Sequence, residues 1–369
     1  AVGMAYSNFD FLSEKFPVLA HLGRLAEKYV YSDSNSCLFK LGMMGETMVK
    51  LMFDYDGIEL PREDKAVNRI NKLRREDLLD ADTAMLFHSL RKIRNQAGHE
   101  GYESVSDARN YLGITYSLSE WFMQTYGDYQ YKNRPFVMPT ETPEPVKEDK
   151  VDEEALEKIL LQQAAENAAK APKVNKAVRQ KYARKASNQR YKSEAETRVL
   201  IDEQLRQVGW EADTENLRYS KGTRPQKGRC LAIAEWPTDS VSGKGGFADY
   251  ALFIDLQLVA IIEAKAEHKD VAAVIDGQCK EYPKYIKKQH HEYVLGQWGD
   301  YQVPFTFATN GKPYLEQLRT KSGIWFLDLR QKTNRPKPLR GWFSPLGLTE
   351  LLARDTGKDN EKLQAMPYA

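Results

Sequence analysis

Apolar residues recur at the helical period through most of the first 130 residues. The recurring positions are Phe11, Leu12, Phe16, Leu19, Leu22, Leu25, Leu38, Leu41, Met44, Met48, Leu51, Met52, Leu86, Leu90, Ile93, Tyr111, Ile114, Leu118 and Phe122. Turn-prone residues interrupt the pattern at 33–35, 56–57 and 98–101. The pattern therefore predicts a bundle of four or five helices over residues 5–132.

A different pattern begins at residue 193. Residues 196–208 are amphipathic, and Gly209 follows as a helix stop signal. A second helix is predicted over residues 271–288. Short apolar runs predict strands at 230–236, 247–254, 258–264, 305–309 and 324–329. This order of helices and strands predicts an α/β domain with a mixed sheet over residues 193–345.

Residues 133–192 are predicted to link the two domains. Four prolines among Glu and Thr residues disfavour a helix before residue 150. Residues 141–157 carry eight acids and two lysines, whereas residues 170–192 carry nine basic residues and no acid. We expect the basic segment to form a polar, solvated spacer helix, with a phosphate-contacting face as the alternative.

The composition excludes several classes of protein. With 369 residues, of which 41% are hydrophobic, the chain can build two or three cores and is not wholly disordered. Its apolar runs fall far short of the roughly 20 residues that a membrane span needs, and there is no apolar signal peptide. Three scattered cysteines argue against a disulfide scaffold or a thiolate zinc site and favour the cytoplasm. The histidines expected at the surface, rather than at a zinc site, are His268, His290 and His291.

Two carboxylates and a lysine are predicted to meet at the open end of a β-hairpin. Asp249 lies near the start of one predicted strand and Glu263 near the end of the next, with a short polar interruption between them. Antiparallel pairing would bring the carboxylates together, and Lys265 would share the face of Glu263. Charges beside such apolar strands are costly unless they bind something.

These residue types suit a metal-assisted reaction. Two converging carboxylates suit Mg²⁺, which takes oxygen ligands and retains water. A metal there can polarise a phosphoryl oxygen and lower the pKa of a bound water. The lysine would hold the attacking water or neutralise charge on the phosphate. A salt bridge between Glu263 and Lys265 at a strand end is the structural alternative.

The sequence Asp249…Glu263-Ala264-Lys265 resembles the PD-(D/E)xK nuclease motif, although Ala248 stands where the nominal motif has proline. Further short sequence segments resemble those of the restriction subunit of type I restriction–modification enzymes. They are Glu196-Thr197-Arg198, Ile201-Asp202, Gly209-Trp210, Ala234-Glu235-Trp236-Pro237, Gly246-Phe247-Ala248-Asp249-Tyr250, Thr309-Asn310-Gly311 and Lys321-Ser322-Gly323-Ile324-Trp325. The resemblance covers residues 193–342 well, and the N-terminal bundle is similar to the helical domain of some of these subunits. It implies a multidomain chain, an α-helical bundle followed by an α/β restriction-endonuclease-like domain with a mixed central sheet.

The resemblance implies roles for residues of the hairpin. Asp249 and Glu263 would be metal ligands, with the main-chain carbonyl of Ala264 as a further ligand. Lys265 would be the catalytic lysine.

Three residues on neighbouring helices are also implied in the site. Gln278 and Tyr282 resemble a Q-x-x-x-Y pattern, and residues four apart share a helix face. They would support DNA and the active site. Glu196, on the preceding helix, would tune the metal.

In this family, cleavage of double-stranded DNA follows ATP-driven translocation by motor domains downstream of the nuclease. Methyltransferase and specificity subunits complete the enzyme. This chain contains no G-x-x-x-x-G-K-[ST] motif. We therefore expect an N-terminal part of the subunit, with residues 346–369 beginning the connection to the motor. The implied cofactor is Mg²⁺, and ATP would bind elsewhere in the full-length subunit.

The formal net charge of +2 does not argue against a DNA substrate, because it sums blocks of opposite sign. A second basic block follows the predicted site and contains only one acid, Asp328. Its members are Arg319, Lys321, Arg330, Lys332, Arg335, Lys337 and Arg340. This block is a candidate track for the DNA backbone, with a solvated face or a joint to the motor as alternatives.

Two other functions stay open. The bundle and the basic helix could dock the methyltransferase or specificity subunits without cleaving DNA. The sequence Arg94-Asn95-Gln96-Ala97-Gly98-His99 resembles the R-x(4–6)-H signature of HEPN ribonucleases, in which the histidine would act as general acid or base. A helix cap and turn is the structural interpretation of the same residues.

Overall fold

The computed structural model describes residues 6–99, 101–141, 150–190, 193–240, 245–264, 275, 278–311 and 323–354. The chain divides into two compact units, Ala1–Glu196 and Thr197–Ala369. Helices make up the first unit, and the second contains a seven-stranded mixed sheet, which confirms the predicted order of a helical region and an α/β domain. Within the described ranges, no helix combines the length and apolarity needed to cross a membrane.

Five α-helices lie among the described residues of the predicted bundle. They are α1 (Pro17–Tyr29), α2 (Ser34–Asp56), α3 (Ala66–Arg75), α4 (Ala81–Ala97) and α5 (Val105–Phe122). Residues at the predicted breaks begin and end these helices. Asp33 caps the start of α2 by accepting a hydrogen bond from the Ser36 N–H, and Gly57 ends α2 with a left-handed φ of 61°. Except for Phe11 and Tyr111, which are half-buried, the apolar residues of the predicted pattern are buried between the helices.

Two further helices stand where one solvated spacer helix was expected. They are α6 (Lys150–Lys170) and α7 (Lys176–Gln189). Both pack on the bundle. Glu157 of α6 pairs with Lys40 at 2.6 Å, and the buried Arg179 of α7 pairs with Asp56 at 2.9 Å. The expectation of a solvated helix is therefore wrong at Arg179, because acidic and basic blocks pair with charges of the bundle.

The described residues of the second unit form a sheet of seven strands in sequential order. They are β1 (Glu211–Ala212), β2 (Cys230–Thr238), β3 (Gly246–Ile254), β4 (Gln257–Ala264), β5 (Phe305–Thr309), β6 (Ile324–Asp328) and β7 (Lys337–Pro338). The β1–β2 and β4–β5 pairs are parallel, and the other pairs are antiparallel. All five predicted strands are present, whereas the two-residue edge strands β1 and β7 carry too little pattern to be predicted.

A bulge sets the register of the β3–β4 hairpin. Leu252 pairs with Ala260, but Phe253 pairs with Leu258, which leaves Val259 as the extra residue. The consecutive residues Val259 and Ala260 belong to the same core cluster, although regular strand residues alternate between faces. The register on the open side of the bulge is therefore offset by one residue.

Helices cover both faces of the sheet. On one face, α8 (Glu194–Gln207) contributes Ile201 and Leu205, and α10 (Pro345–Ala353) contributes Leu348. On the other face lie α9 (Gln278–Glu281) and the 3₁₀ turn Tyr282–Lys284. The helix predicted over 271–288 thus ends early, because Pro283 has no N–H with which to continue it.

A buried carboxyl group attaches α8 to the sheet. Asp202 accepts hydrogen bonds from the Tyr250 hydroxyl at 2.7 Å, from the Thr214 N–H at 2.7 Å and from the Thr214 hydroxyl at 2.9 Å. Burial raises the pKa of Asp202 to about 6, although these hydrogen bonds act in the opposite direction. An unfolded aspartate has a pKa of about 4, so the folded state holds this proton more tightly.

We expect the stability contributed by Asp202 to fall as the pH rises from about 4 to about 6, because the unfolded chain releases the proton first. The free energy of unfolding of the wild type, minus that of Asp202→Asn, should decrease by up to about 3 kcal/mol across this window. Urea denaturation at pH 4 to 7 measures this difference. The exposed Asp300→Asn variant is the control, and a pH-independent difference for Asp202→Asn would contradict the assignment.

Candidate active site

The open end of the β3–β4 hairpin brings the two predicted carboxylates together. The pairing of Tyr250 with Ile262 places Asp249 opposite Glu263. The Asp249 N–H donates to Glu263 Oε1 at 3.4 Å, and the Ala264 N–H donates to Asp249 Oδ2 at 2.6 Å. The predicted meeting of the two carboxylates is therefore present, whereas Lys265 lies outside the described residues and the chemical roles stay a prediction.

Both carboxylates are largely removed from solvent. The Asp249 side chain is 15% exposed, and Glu263 is 2% exposed. A buried carboxylate is costly unless a cation or several hydrogen bonds compensate its charge. The surroundings of the pair therefore decide whether it can stay ionised.

Arg198 of α8 supplies a cation beside Asp249. Its Nη2 donates to Asp249 Oδ1 and, at 3.1 Å, to Glu235 Oε1, while its Nη1 lies 3.3 Å from the Asp249 carbonyl oxygen. The guanidinium also lies 5.3 Å from the ring centroid of Tyr250. Burial alone would lower the pKa of Arg198, but the charges of Asp249, Tyr250 and Glu235 raise it above its ordinary value. The guanidinium is therefore firmly cationic and orients Asp249.

Sequence reasoning did not single out Arg198 as a site residue. The available signal was its position on an amphipathic helix, one turn before Asp202, on a side that also carries Ile201 and Leu205. A charged residue on the apolar side of a helix needs a buried partner.

Glu235 is a third acid near the pair. The pairings Ala234 with Tyr250 and Trp236 with Ala248 place it opposite Asp249. Glu235 has a left-handed φ of 53°, which is uncommon for a residue other than glycine and is concentrated at functional sites. Acids of β2, β3 and β4 thus form a row across the sheet, in which Arg198 bridges the first two.

Tyr282 lies beside the carboxylate pair. Its pKa is raised to about 12 by burial and then by the charges of Glu263 and Asp249. A Cβ atom at Gly246 would come within 3.1 Å of a Tyr282 ring carbon, so glycine permits this approach. The turn that begins at Tyr282 directly follows α9, and α9 is attached to β5 because the Cys279 carbonyl accepts a hydrogen bond from the Thr306 hydroxyl at 2.8 Å.

Three other predicted site residues are not joined to the pair by described contacts. Lys265 and the side chain of Gln278 lie outside the described residues. Glu196 is buried at the end of the first unit, where it forms an ion pair with Arg190 and its N–H donates to the Ser193 hydroxyl at 3.1 Å.

The donor chemistry of the pair fits a hard divalent cation. Carboxylate and carbonyl oxygens are the ligands that Mg²⁺ prefers, and it is often bound through one or two carboxylates with several waters. Within the part of the chain that the structure describes, no group of three or more His, Cys, Asp or Glu side chains is arranged for metal binding. A cation bound by Asp249 and Glu263 would therefore need backbone, water or substrate oxygens as further ligands.

Arg330 of the second basic block has a structural partner. Its side chain, 9% exposed, pairs with Asp328 at 2.8 Å and donates to the carbonyls of Leu351 and Leu352 at 3.1 Å, at the end of α10. The prediction that Arg330 contacts the DNA backbone as part of this track is therefore wrong. His268, Arg319 and Lys321 lie outside the described residues.

The expectation of a surface position is wrong for His290. It is 4% exposed, its Nε2 lies 3.0 Å from the Tyr219 hydroxyl, and its ring lies 4.7 Å from that of Trp236. Burial lowers its pKa, which favours the neutral imidazole in this aromatic cluster.

The residues of the ribonuclease-like motif lie at the end of α4. Arg94 forms an ion pair with Glu46 of α2 and lies 5.2 Å from the ring centroid of Phe39. His99 is exposed, and its N–H donates to the Gln96 carbonyl in a terminal turn. This arrangement agrees with the structural interpretation of the motif.

Comparison with known proteins identifies the family. The family model described as the second domain of the type I restriction enzyme EcoKI endonuclease subunit matches residues 211–352. The type I restriction enzyme EcoKI endonuclease subunit of Escherichia coli (strain K12) is 30% identical over 434 residues, covering 97% of this chain and 37% of that protein. No solved structure matches the chain. The chain thus spans little more than a third of the length of this relative, and it belongs to the family of type I restriction enzyme endonuclease subunits.

Proposed function

We propose that the second unit is a PD-(D/E)xK-like nuclease that hydrolyses phosphodiester bonds of duplex DNA with Mg²⁺. The observation that carries this proposal is the meeting of Asp249 and Glu263 at the open end of the β3–β4 hairpin. The relationship to an endonuclease subunit supports a nuclease.

In this proposal the hairpin binds the metal and orients its ligands. Asp249, Glu263 and the carbonyl of Ala264 would hold Mg²⁺. The bound ion would polarise a phosphoryl oxygen and lower the pKa of a water molecule. Arg198 of α8 donates a hydrogen bond to the Asp249 carboxylate and so orients this proposed ligand in the metal-free protein.

The remaining residues would act on water and DNA. Lys265 would hold the attacking water or neutralise charge developing on the phosphate. Tyr282 would contact DNA or the pair through its hydroxyl, which is protonated at neutral pH even at the ordinary pKa of tyrosine and whose pKa is raised further here. Gln278 would assist it, and Glu196 would tune the metal.

We also propose that cleavage takes place in a larger enzyme. The E. coli relative is named as one subunit of a restriction enzyme. Partners of this chain would be methyltransferase and specificity subunits and double-stranded DNA. ATP-driven translocation would belong to regions of the full-length subunit outside these residues.

Replacing either carboxylate should weaken metal binding at the hairpin. We expect Asp249→Asn and Glu263→Gln to weaken Mg²⁺ binding at least roughly 10- to 100-fold, since even loss of an outer partner of a metal ligand has an effect of this size. Isothermal titration of the 369-residue chain measures the affinity.

The control lies at the other end of the same hairpin. Asp255 accepts a hydrogen bond from the Gly228 N–H at 2.6 Å through Oδ1, which asparagine retains. Asp255→Asn should bind Mg²⁺ as the wild type does. Equal affinities of the wild type, Asp249→Asn and Glu263→Gln would contradict the metal assignment.

Arg198→Met should make stability depend more strongly on Mg²⁺. Without the guanidinium, the buried Asp249 charge loses its partner, which should lower the free energy of unfolding in chelator by roughly 3–5 kcal/mol. Mg²⁺ would restore part of this loss, because it binds the folded state and no longer meets a neighbouring cation. Chemical denaturation with and without Mg²⁺ measures both effects.

Arg206→Met is the matched control on the same helix, since Arg206 pairs with Glu203 at 2.8 Å. Its Mg²⁺-dependent stabilisation should equal that of the wild type. If Mg²⁺ stabilises the Arg198→Met protein no more than the wild type, Arg198 does not adjoin the metal site.

Lys265→Ala should separate cleavage from metal binding. In the full-length subunit assembled with its partners, we expect DNA cleavage to fall roughly 100-fold or more, because one charge-stabilising group is lost. Mg²⁺ affinity and folding should change little, and Lys288→Ala serves as the control. Undiminished nicking by Lys265→Ala would refute the assigned role of this lysine.

A further inference from the structure

The helical unit contains a cleft between α2, α3 and α4. Its volume is about 200 Å³. Four cationic side chains line it, Lys50, Arg69, Arg91 and Arg94, and they face two carboxylates, Glu46 and Asp64. Two positive charges are therefore in excess within a confined space.

The two carboxylates are already shared among three of the cations. Glu46 pairs with Arg94 and, at 2.9 Å, with Lys50. Asp64 accepts both hydrogen bonds of the Arg69 fork, at 2.5 and 2.6 Å. Among the residues that the structure describes, the buried Nε of Arg91 has no hydrogen-bond partner. A buried donor without a partner is costly and indicates a missing acceptor.

The electrostatic environment of Lys50 also indicates an excess of positive charge in the cleft. Burial, and then the charge of Arg69, lower its pKa, although Asp64 opposes them. An anion in the cleft would oppose both effects.

Close helix packing builds this concentration of charge. A Cβ atom at Gly42 would lie 2.3 Å from Arg94 Cβ, and one at Gly45 would lie 3.0 Å from a Leu90 methyl carbon. Two glycines on one face of α2 therefore let α4 approach closely. The approach brings Arg91 and Arg94 beside Glu46 and Lys50.

We propose that this cleft binds the phosphate group of a small phosphorylated molecule. A phosphate dianion matches the two excess charges, and its oxygens accept the hydrogen bonds that guanidinium groups donate. Apolar side chains of Val49, Ile70 and Phe87 also line the cleft and can contact the body of the ligand. The volume is below the roughly 300–1,000 Å³ of pockets for drug-sized ligands, which selects a small molecule.

A continuous nucleic acid fits this cleft less well. Asp64 is 39% exposed and would repel the successive phosphates of a strand. His99, the general acid or base of the ribonuclease hypothesis, is not among the described residues that line the cleft. The proposal is therefore binding without cleavage.

Calorimetric titration of the 369-residue chain at constant ionic strength tests the proposal. The probes are inorganic phosphate, adenosine 5′-monophosphate and a single-stranded DNA 12-mer. We expect phosphate or the nucleotide to bind, and Arg91→Gln to weaken binding by about tenfold or more. Arg75→Gln, an exposed arginine of α3 outside the cleft, should bind like the wild type. The relative affinities of phosphate and nucleotide distinguish a free anion from a phosphate ester.

Several outcomes would overturn the proposal: no binding of either small probe, binding of the DNA strand alone, or equal loss in Arg75→Gln. Circular dichroism checks that Arg91→Gln is folded. If it is not, Lys50→Gln must weaken binding, and Lys50→Arg must retain it. Asp249→Asn should leave phosphate binding unchanged, so failure of this proposal and failure of the nuclease assignment are distinguishable.

Discussion

The burial of negative charge at the open end of the β3–β4 hairpin is the constraint that organises the second unit. Antiparallel pairing places Asp249 of β3 beside Glu263 of β4, and a third acid, Glu235 of β2, lies on the other side of Asp249. Such a row can be buried only where cations compensate it. The structure meets this need with Arg198, whose guanidinium bridges two of the three acids.

The same constraint fixes the position of α8. Arg198 and Asp202 are one turn apart, and both contact Tyr250, the first through the ring face and the second through the hydroxyl. Apolar contacts alone would allow a helix to slide over a sheet, whereas these polar contacts have defined partners. The helix is therefore positioned by the charges that the site requires.

Much of the second unit could be predicted because its strands are short apolar runs with clear limits. The hairpin follows from two apolar runs with a short polar interruption, and antiparallel geometry brings the strand ends that carry Asp249 and Glu263 side by side. The bulge that places Glu263, rather than Ile262, opposite Asp249 has no signal in the apolar pattern. The edge strands Glu211–Ala212 and Lys337–Pro338 could not be predicted, since two residues carry no periodicity. Arg198 could not be assigned because its partner is distant in sequence. His290 was expected at the surface because a histidine gives no local signal of burial in an aromatic cluster.

In the helical unit, periodicity identified the helices, but the charge blocks were harder to interpret. A run of basic residues indicates a solvated face when partners are unknown. Arg179 is instead buried against Asp56, and Glu157 pairs with Lys40. Opposite charges that are separated by more than 100 residues become neighbours only after folding, so their compensation cannot be seen in a local window.

The bulge at Val259 has a consequence for how this hairpin can vary. Side chains at every second residue of a strand point to the same face of the sheet. The extra residue therefore decides which side chain of β4 lies opposite Asp249. If the same strand paired without a bulge, Ile262 would stand opposite Asp249 and Glu263 would turn to the other face. Deleting Val259 would instead close the bulge and keep Asp249 opposite Glu263, because Val259 is the residue that the ladder leaves out. The acidic pair therefore depends on a match between the number of residues in β4 and the bulge, and β4 can become one residue shorter at this point without separating the two acids.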